Sequence, residues 1–389
     1  MNANWSYPTR ILFGAGRRDS LPAEAAALGM TRPLLVTDPG LKDLPFIQEL
    51  LDLLAKAGLA TGLFHDIKPN PLIQNLEAGL AVLRAGRHDG VICVGGGSAM
   101  DCGKVMAFMV AQSLPVWHFE DIGDGWTDAE TQGILPIIAL PTTAGTGSEV
   151  GRAGVIGDAE AGFKKIIFHP QILPAVVIED PELSVGLPPG LTAATGFDAL
   201  AHCLEAYCAP TFHPMSDGIA LEGIRLIKEM LPRAVADGSD LEARGQMLVA
   251  ASMGAVAFQK GLGAIHSLSH AVGALFDTHH GRTNAVMMPY VLAFNRPQIE
   301  TKIDRLAAYL SLPGGFDGFF DWVMAERAAL GIENSLAELI GERDRRTDRI
   351  VALAIADPTV PTNPRLLDGE AAERLYLAAL AGEVAGLAD

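Results

Sequence analysis

Between Pro33 and Asp180 the chain alternates short, unbroken apolar runs with stretches of helical spacing, and no other feature narrows the possible folds as much. The runs are PLLVTD, GLATGLFHDI, GVICVGGGS, ILPIIALPTT and AVVIEDP, with helix-like segments from Pro45 to Ala57 and near Leu72 to Ala85. Continuous runs rich in β-branched residues and bounded by turn residues describe strands buried on both faces, with the helices as crossovers. The expectation is a parallel α/β half. After Pro188-Pro189 such runs become scarce, and Ala/Leu-rich segments with helical spacing take over: Thr192 to Tyr207, Asp217 to Ala234, Asp240 to Phe258, Ile265 to Leu275 and Ile299 to Leu310. Residues 1–187 are therefore read as an α/β domain and 188–389 as an all-helical one, with a cleft between them where ligand sites commonly sit.

A chain of 389 residues exceeds the size at which one hydrophobic core usually stops growing. With 49% hydrophobic and 19% charged residues it reads as globular rather than disordered. The formal charge of −17, with no Lys/Arg-rich run to offset it, argues against a nucleic-acid partner. It also means that any phosphate site must be built locally, from backbone N–H groups and one or two cations. Cys93, Cys102, Cys203 and Cys208 lack CxxC spacing and lie mostly beside apolar segments, which favours buried thiols and a reducing compartment. The N-terminal stretch has no apolar signal core, and no apolar run reaches the ~18 residues that span a bilayer. The expectation is a soluble cytoplasmic protein without a membrane partner.

Three features in the α/β half suit a nucleotide. Val91 to Val94 reads as a buried strand that runs through Gly95, Gly96, Gly97 and Ser98 into a helix, AMDCGKVMAFMV. Glycines there let a ligand approach the backbone, and free N–H groups at a helix start bind phosphate. The spacing is neither GxGxxG nor a P-loop, and an ordinary tight βα turn is the alternative. The loop PTTAGTGSE (141–149) puts several hydroxyls at a strand end, suited to cofactor phosphates or ribose, or to capping its own backbone. Asp38, after PLLVT, stands where a carboxylate accepts hydrogen bonds from an adenosine ribose and repels a 2′-phosphate; as the first residue of DPG it also suits a turn cap.

The helical half carries Asp198 with His202 and His266 with His270, each four residues apart and so on one helix face, followed by His279-His280. Asp plus imidazoles suits Fe²⁺, Zn²⁺ or a similar ion better than Mg²⁺ or Ca²⁺. Spacing leaves open which of His266, His270, His279 and His280 are ligands.

Taken together, these segments resemble the iron-containing (group III) alcohol dehydrogenase family. The resemblance is carried by GGGSAMDCGK (95–104), PTTAGTGSE (141–149), KKIIFHPQILPAVVIEDP (164–181), GFDALAHCLEAY (196–207) and GLGAIHSLSHAVGALFDTHHGRTNAVMMP (261–289), with YPTRILFGAG and PTNPRLLDGEAAERLY near the two ends. It implies an N-terminal Rossmann-like parallel-sheet domain that binds the dinucleotide, an all-α metal-binding domain, and a homodimer or higher homo-oligomer. Asp198, His202, His266 and His280 are then the implied metal ligands, and His270 an additional histidine near the nicotinamide. Gly95, Gly96, Gly97, Ser98 and Asp101 would cradle the pyrophosphate, and Thr142, Thr143, Thr146 and Ser148 would line the cofactor. Lys164, or the adjacent Lys165, would reach the nicotinamide ribose. All four implied ligand positions are filled, which argues against the maleylacetate reductases. One departure stands out: the family commonly continues Val-Thr after the Glu149 position, whereas this chain reads Val150-Gly151-Arg152, and an Arg there would pair with a substrate carboxylate or point to solvent.

The implied activity is metal-dependent hydride transfer between NAD(H), in preference to NADP because of Asp38, and a small primary alcohol or aldehyde. Fe²⁺ is the expected ion, with Zn²⁺ as the alternative, and it would act as a Lewis acid on the substrate oxygen. His270 would relay the proton. The rivals are a polyol or hydroxyacid dehydrogenase on the same scaffold, a non-catalytic nucleotide- or metal-binding protein, and a metal-dependent hydrolase. The last leaves both cofactor-like loops without a role.

Overall fold

The structure is a computed structural model that describes residues 7, 9–158, 163–341, 343 and 345–388. The chain forms two compact units: Tyr7–Leu187 with Ser239–Ser252, and Pro188–Gly238 with Met253–Asp389. The segment Ser239–Ser252, expected among the helical residues, thus belongs to the α/β unit.

In the α/β unit the strands are β1 (Arg10–Phe13), β2 (Leu34–Val36), β3 (Gly62–Phe64), β4 (Val91–Gly95), β5 (Ile137–Pro141), β6 (Ala153–Asp158), β7 (Phe163–Phe168) and β8 (Val176–Glu179). Six of them form a parallel sheet in the order β1-β8-β5-β4-β2-β3. The helices α1 (Leu21–Ala27), α2 (Pro45–Lys56), α3 (Ile73–Ala85) and α4 (Gly97–Met109) supply crossovers. Side chains alternate along each strand, so Leu35, Ile92, Val94, Ile138, Leu140, Val176 and Ile178 share a buried cluster with Leu21, Ala25, Ile47, Leu50 and Leu54 of α1 and α2. Cys93 lies between Ile92 and Val94 on β4 and meets α4: a Cβ added at Gly103 would stand 2.5 Å from its Sγ. Glycine at 103 therefore lets α4 lie directly on the sheet.

Two features depart from the strand pattern read in the sequence. β1 forms the sheet edge beside β8, and β6 and β7 pair antiparallel as a separate ribbon. Neither has a fully apolar run: β7 reads FKKIIF, with only Ile167 buried.

The helical unit begins with α5 (Pro189–Cys208) and α6 (Pro214–Ala236), and α7 (Leu241–Ala257) ends in it. It continues with α8 (Ala264–Phe276), α9 (His280–Tyr309), α10 (Gly315–Ala329), α11 (Leu336–Ile340), α12 (Thr347–Ile355) and α13 (Gly369–Ala381). α5 is buried almost from end to end, which explains its Ala-rich composition. α9 differs from the expected helix at Ile299 to Leu310: it starts at His280 and runs through Pro289 and Pro297. Proline normally ends a helix because it lacks the N–H and crowds the preceding turn; here the helix continues through both, with the residues around Pro289 buried and Pro297 exposed. Among the described residues, no single helix is long and apolar enough to cross a membrane.

Candidate active site

Asp198 and His202 project from one face of α5, His266 lies in the first turn of α8, and His280 is the first residue of α9. The Nε2 atoms of His202, His266 and His280 stand 3.7, 3.9 and 3.4 Å from Oδ1 of Asp198. Four ligands held ~2.1 Å from an ion in a tetrahedron lie ~3.4 Å apart, and each imidazole stands at about that distance from the Asp198 oxygen. Ligand atoms of Asp198, His202 and His266 also lie within 4.8 Å of one another, and all three residues are buried. Exposure is graded: the side chain of His266 is 2% accessible and that of His280 25%. The open side of the cluster is therefore at His280.

A hydrogen-bond donor already occupies the focus of these acceptors. Nδ2 of Asn284, one helical turn after His280, donates to Asp198 Oδ1 at 2.8 Å and lies 3.3 Å from His266 Nε2 and 3.2 Å from His280 Nε2. Ser269 donates to the Asn284 carbonyl. Lone pairs that converge on one buried donor are arranged as a cation requires. Two glycines leave room for this geometry. A Cβ at Gly281 would stand 2.1 Å from the Ala194 carbonyl oxygen and 3.2 Å from Asp198 Cβ, and one at Gly254 would stand 3.0 Å from His202 Cβ.

His266 donates from Nδ1 to Glu205 Oε2 at 2.5 Å. Burial disfavours a charged ring there, but Glu205 and Asp198 outweigh it and raise the His266 pKa. His270, one turn further along α8, stacks on His280 with ring centroids 5.2 Å apart. Its Nδ1 is held by Asp357 Oδ2 at 2.8 Å, and Asp357 also accepts from the N–H and hydroxyl of Thr359. Burial raises the Asp357 pKa, but the His270 charge and these hydrogen bonds prevail and hold it at about 2. His279 precedes α9 as its N-cap residue.

In the α/β unit, β2, β4 and β5 are neighbours in the parallel sheet, so their carboxyl ends bring Asp38, Gly95 to Ser98 and Thr142 to Ser148 together. That edge is where such sheets bind ligands. A Cβ at Gly96 would lie 3.1 Å from Thr143 Oγ1, and one at Gly97 would lie 2.6 Å from Thr146 Cγ2. The glycine turn and the threonine loop are thus in contact. Gly95 has φ +153°, open only to glycine, and a Cβ there would stand 3.4 Å from Asp38 Oδ2. Asp38 Oδ1 caps the turn by accepting from Gly40 N at 2.8 Å.

Asp101 accepts from the Ser148 hydroxyl. Lys104, fully buried, donates to the carbonyl of Ser148 at 2.8 Å and to those of Gly151 and Ala153, pinning the end of the threonine loop to α4. Lys164 donates to Asn70 Oδ1 at 2.6 Å, whereas Lys165 lies 3.1 Å from Asp158 and over the Trp117 ring. Arg152 is half-buried and lies 5.5 Å from the centroid of Phe168.

Three residues of these sites were missed at the sequence level. Glu205 follows His202 by three positions on the same face of α5, and Asn284 follows His280 by four, so local spacing carried a signal for both. Asp357 reaches His270 from 87 positions away in the chain, and nothing local announces it.

A parallel sheet with a glycine-rich βα turn, together with a buried Asp/His cluster, defines a class of dinucleotide- and metal-dependent oxidoreductases. Residues 8–181 match the family described as iron-containing alcohol dehydrogenase, and residues 192–380 match the Fe-containing alcohol dehydrogenase family, C-terminal. The chain is 39% identical over 369 residues to 4-hydroxybutyrate dehydrogenase of Cupriavidus necator, covering 92% of this chain and 95% of that protein. It is 34% identical to NAD-dependent methanol dehydrogenase of Bacillus methanolicus, covering 93% and 96%. The crystal structure of a 1,3-propanediol oxidoreductase superposes with a TM-score of 0.92 at 32% identity, covering 98% of this chain and all of that one. The chain belongs to the iron-containing alcohol dehydrogenase family. It is an NAD-dependent, metal-dependent alcohol oxidoreductase.

Proposed function

We propose that Asp198, His202, His266 and His280 hold the divalent ion, Fe²⁺ or alternatively Zn²⁺, and that the substrate carries a terminal primary alcohol or the corresponding aldehyde. The observation that carries the reading is the approach of three imidazole Nε2 atoms to within 4 Å of one buried carboxylate oxygen. The substrates named for the relatives, 4-hydroxybutyrate, methanol and 1,3-propanediol, all bear a terminal hydroxyl, which supports the primary-alcohol assignment.

When bound, the ion would supply the Lewis acidity that makes an alcohol proton easier to lose, and NAD would supply the hydride-accepting ring. His270 takes that proton on Nε2. Its Nδ1 is fixed by Asp357, whose carboxylate stabilises the imidazolium, and its partial exposure gives the proton a route to solvent. Gly95, Gly96, Gly97 and Ser98 offer the α4 N-terminus to the pyrophosphate, with Asp101 orienting Ser148. Thr142, Thr143, Thr146 and Ser148 line the cofactor, and Lys164 reaches the nicotinamide ribose. Asp38 accepts hydrogen bonds from the adenosine ribose and excludes a 2′-phosphate. In this reading residues 1–187 form the dinucleotide-binding domain and 188–389 the metal-binding one, and the protein works in the cytoplasm as a homodimer or higher homo-oligomer.

The test is NADH formation by chelated protein reconstituted separately with Fe²⁺ and Zn²⁺, across short alcohols, diols and hydroxy acids. Metal-restored turnover is expected, and a His202→Ala variant should lose both bound metal and turnover. Absence of turnover with either ion, and with NADP as well as NAD, would refute the reading.

A further inference from the structure

Glu205 lies on the same face of α5 as Asp198 and His202 and is buried. Its two carboxylate oxygens serve different donors. Oε2 accepts from His266 Nδ1 at 2.5 Å, and Oε1 accepts from the Ile265 backbone N–H at 2.7 Å. The preceding N–H of α8, that of Ala264, is taken by Asn363 Oδ1 at 3.1 Å. A Cβ at Gly263 would stand 3.1 Å from Glu205 Oε1 and 2.6 Å from Asn363 Oδ1, so glycine there is what admits both side chains. The first turn of α8, and His266 with it, is thereby held in place from α5 and from the segment after α12.

Two consequences follow for a cation at the Asp198 cluster. An imidazole that donates from Nδ1 to a carboxylate presents an unprotonated Nε2 on its other side, facing Asp198 and Asn284. A doubly charged ion held by one carboxylate and three neutral imidazoles also leaves a net positive charge in a buried site, and a second buried carboxylate behind His266 cancels it.

We propose that Glu205 is a positioning residue of the metal centre, setting the tautomer of His266 and neutralising the charge of the bound ion. The inference rests on the ligand set proposed above. Glu205→Gln is a discriminating change because it keeps the shape. With the Gln carbonyl still accepting from Ile265, its amide N–H₂ faces His266 Nδ1 and favours the ring with the proton on Nε2, the wrong side for a ligand. Glu205→Asp keeps the charge and tests rescue.

The experiment is competition for Zn²⁺ between a chromophoric chelator and metal-stripped wild type, Glu205→Gln, Glu205→Asp and His202→Ala, with NADH binding and far-UV circular dichroism measured on each. Glu205→Gln should bind Zn²⁺ about 10- to 100-fold more weakly, with NADH binding and dichroism unchanged, and Glu205→Asp should recover part of the loss. If wild type holds Zn²⁺, His202→Ala loses it and Glu205→Gln stays within about twofold of wild type, the ligand set stands and the role of Glu205 falls. If wild type itself takes up no Zn²⁺, both fall. Histidine-selective ¹⁵N NMR of Zn²⁺-loaded wild type gives a check that needs no variant: a protonated, hydrogen-bonded His266 Nδ1 is expected, and a proton on Nε2 would overturn the proposal.

Discussion

Glu149 closes the threonine loop in the α/β unit and is buried, with Ser252 Oγ 3.2 Å from its Oε1. The same hydroxyl lies 2.6 Å from Glu179 Oε1, and since it has one hydrogen it donates to only one of the two carboxyls. Burial first, and the charge of Glu179 second, push the Glu149 pKa from 4.5 to about 7; Ser252 and Lys104 oppose the rise without cancelling it. A folded-state pKa above the unfolded value means that the folded protein holds the proton more tightly. Stability is therefore greatest below about pH 4.5 with respect to this group and declines as pH rises through about 7. At about 1.4 kcal/mol per pH unit, the rise corresponds to a loss on the order of 3 kcal/mol across that window. Glu149→Gln removes the titration while preserving shape and an acceptor for Ser252. Urea unfolding followed by circular dichroism from about pH 5 to about pH 8 should show a wild-type midpoint that falls with pH and a variant midpoint that falls much less. Parallel pH dependences for the two proteins would refute the argument, because they would mean that Glu149 is ionised in the folded state at no extra cost.

The remaining expectations concern the two sites. Steady-state kcat/KM should be higher with NAD than with NADP, and Asp38→Ser should narrow the gap; higher kcat/KM with NADP for the wild type would contradict the role given to Asp38. His270→Ala should lower kcat by ~10²- to 10⁴-fold at unchanged metal content and flatten the pH profile, whereas an unaltered profile would remove His270 from the proton path. Gly281→Ala puts a methyl 2.1 Å from the Ala194 carbonyl oxygen, where backbone must shift and His280 with it. Its Tm should fall by the equivalent of about 1–3 kcal/mol and its metal occupancy should drop, with NADH binding intact as the control.

Much of this molecule was legible from local pattern. The buried parallel strands declared themselves as apolar runs between helical segments, and α2, α3 and α5 formed close to their expected bounds. The same holds for the site residues that helical spacing pairs, Asp198 with His202 and His266 with His270, and for the glycine turn that opens α4. These signals are short-range consequences of backbone period and turn chemistry, written into neighbouring residues. The mixed-polarity ribbon of β6 and β7, the edge strand β1 and the passage of α9 through Pro289 and Pro297 depend on what each segment packs against. Local propensity for them was weak or opposed. Spacing also left four histidines competing for one site. Only the tertiary structure puts the Nε2 atoms of His266 and His280 beside Asp198, turns His270 toward Asp357, and brings Ser252 between two buried carboxyls. Such arrangements join residues far apart in sequence, and their energies come from burial and hydrogen bonds that exist only once the chain has folded.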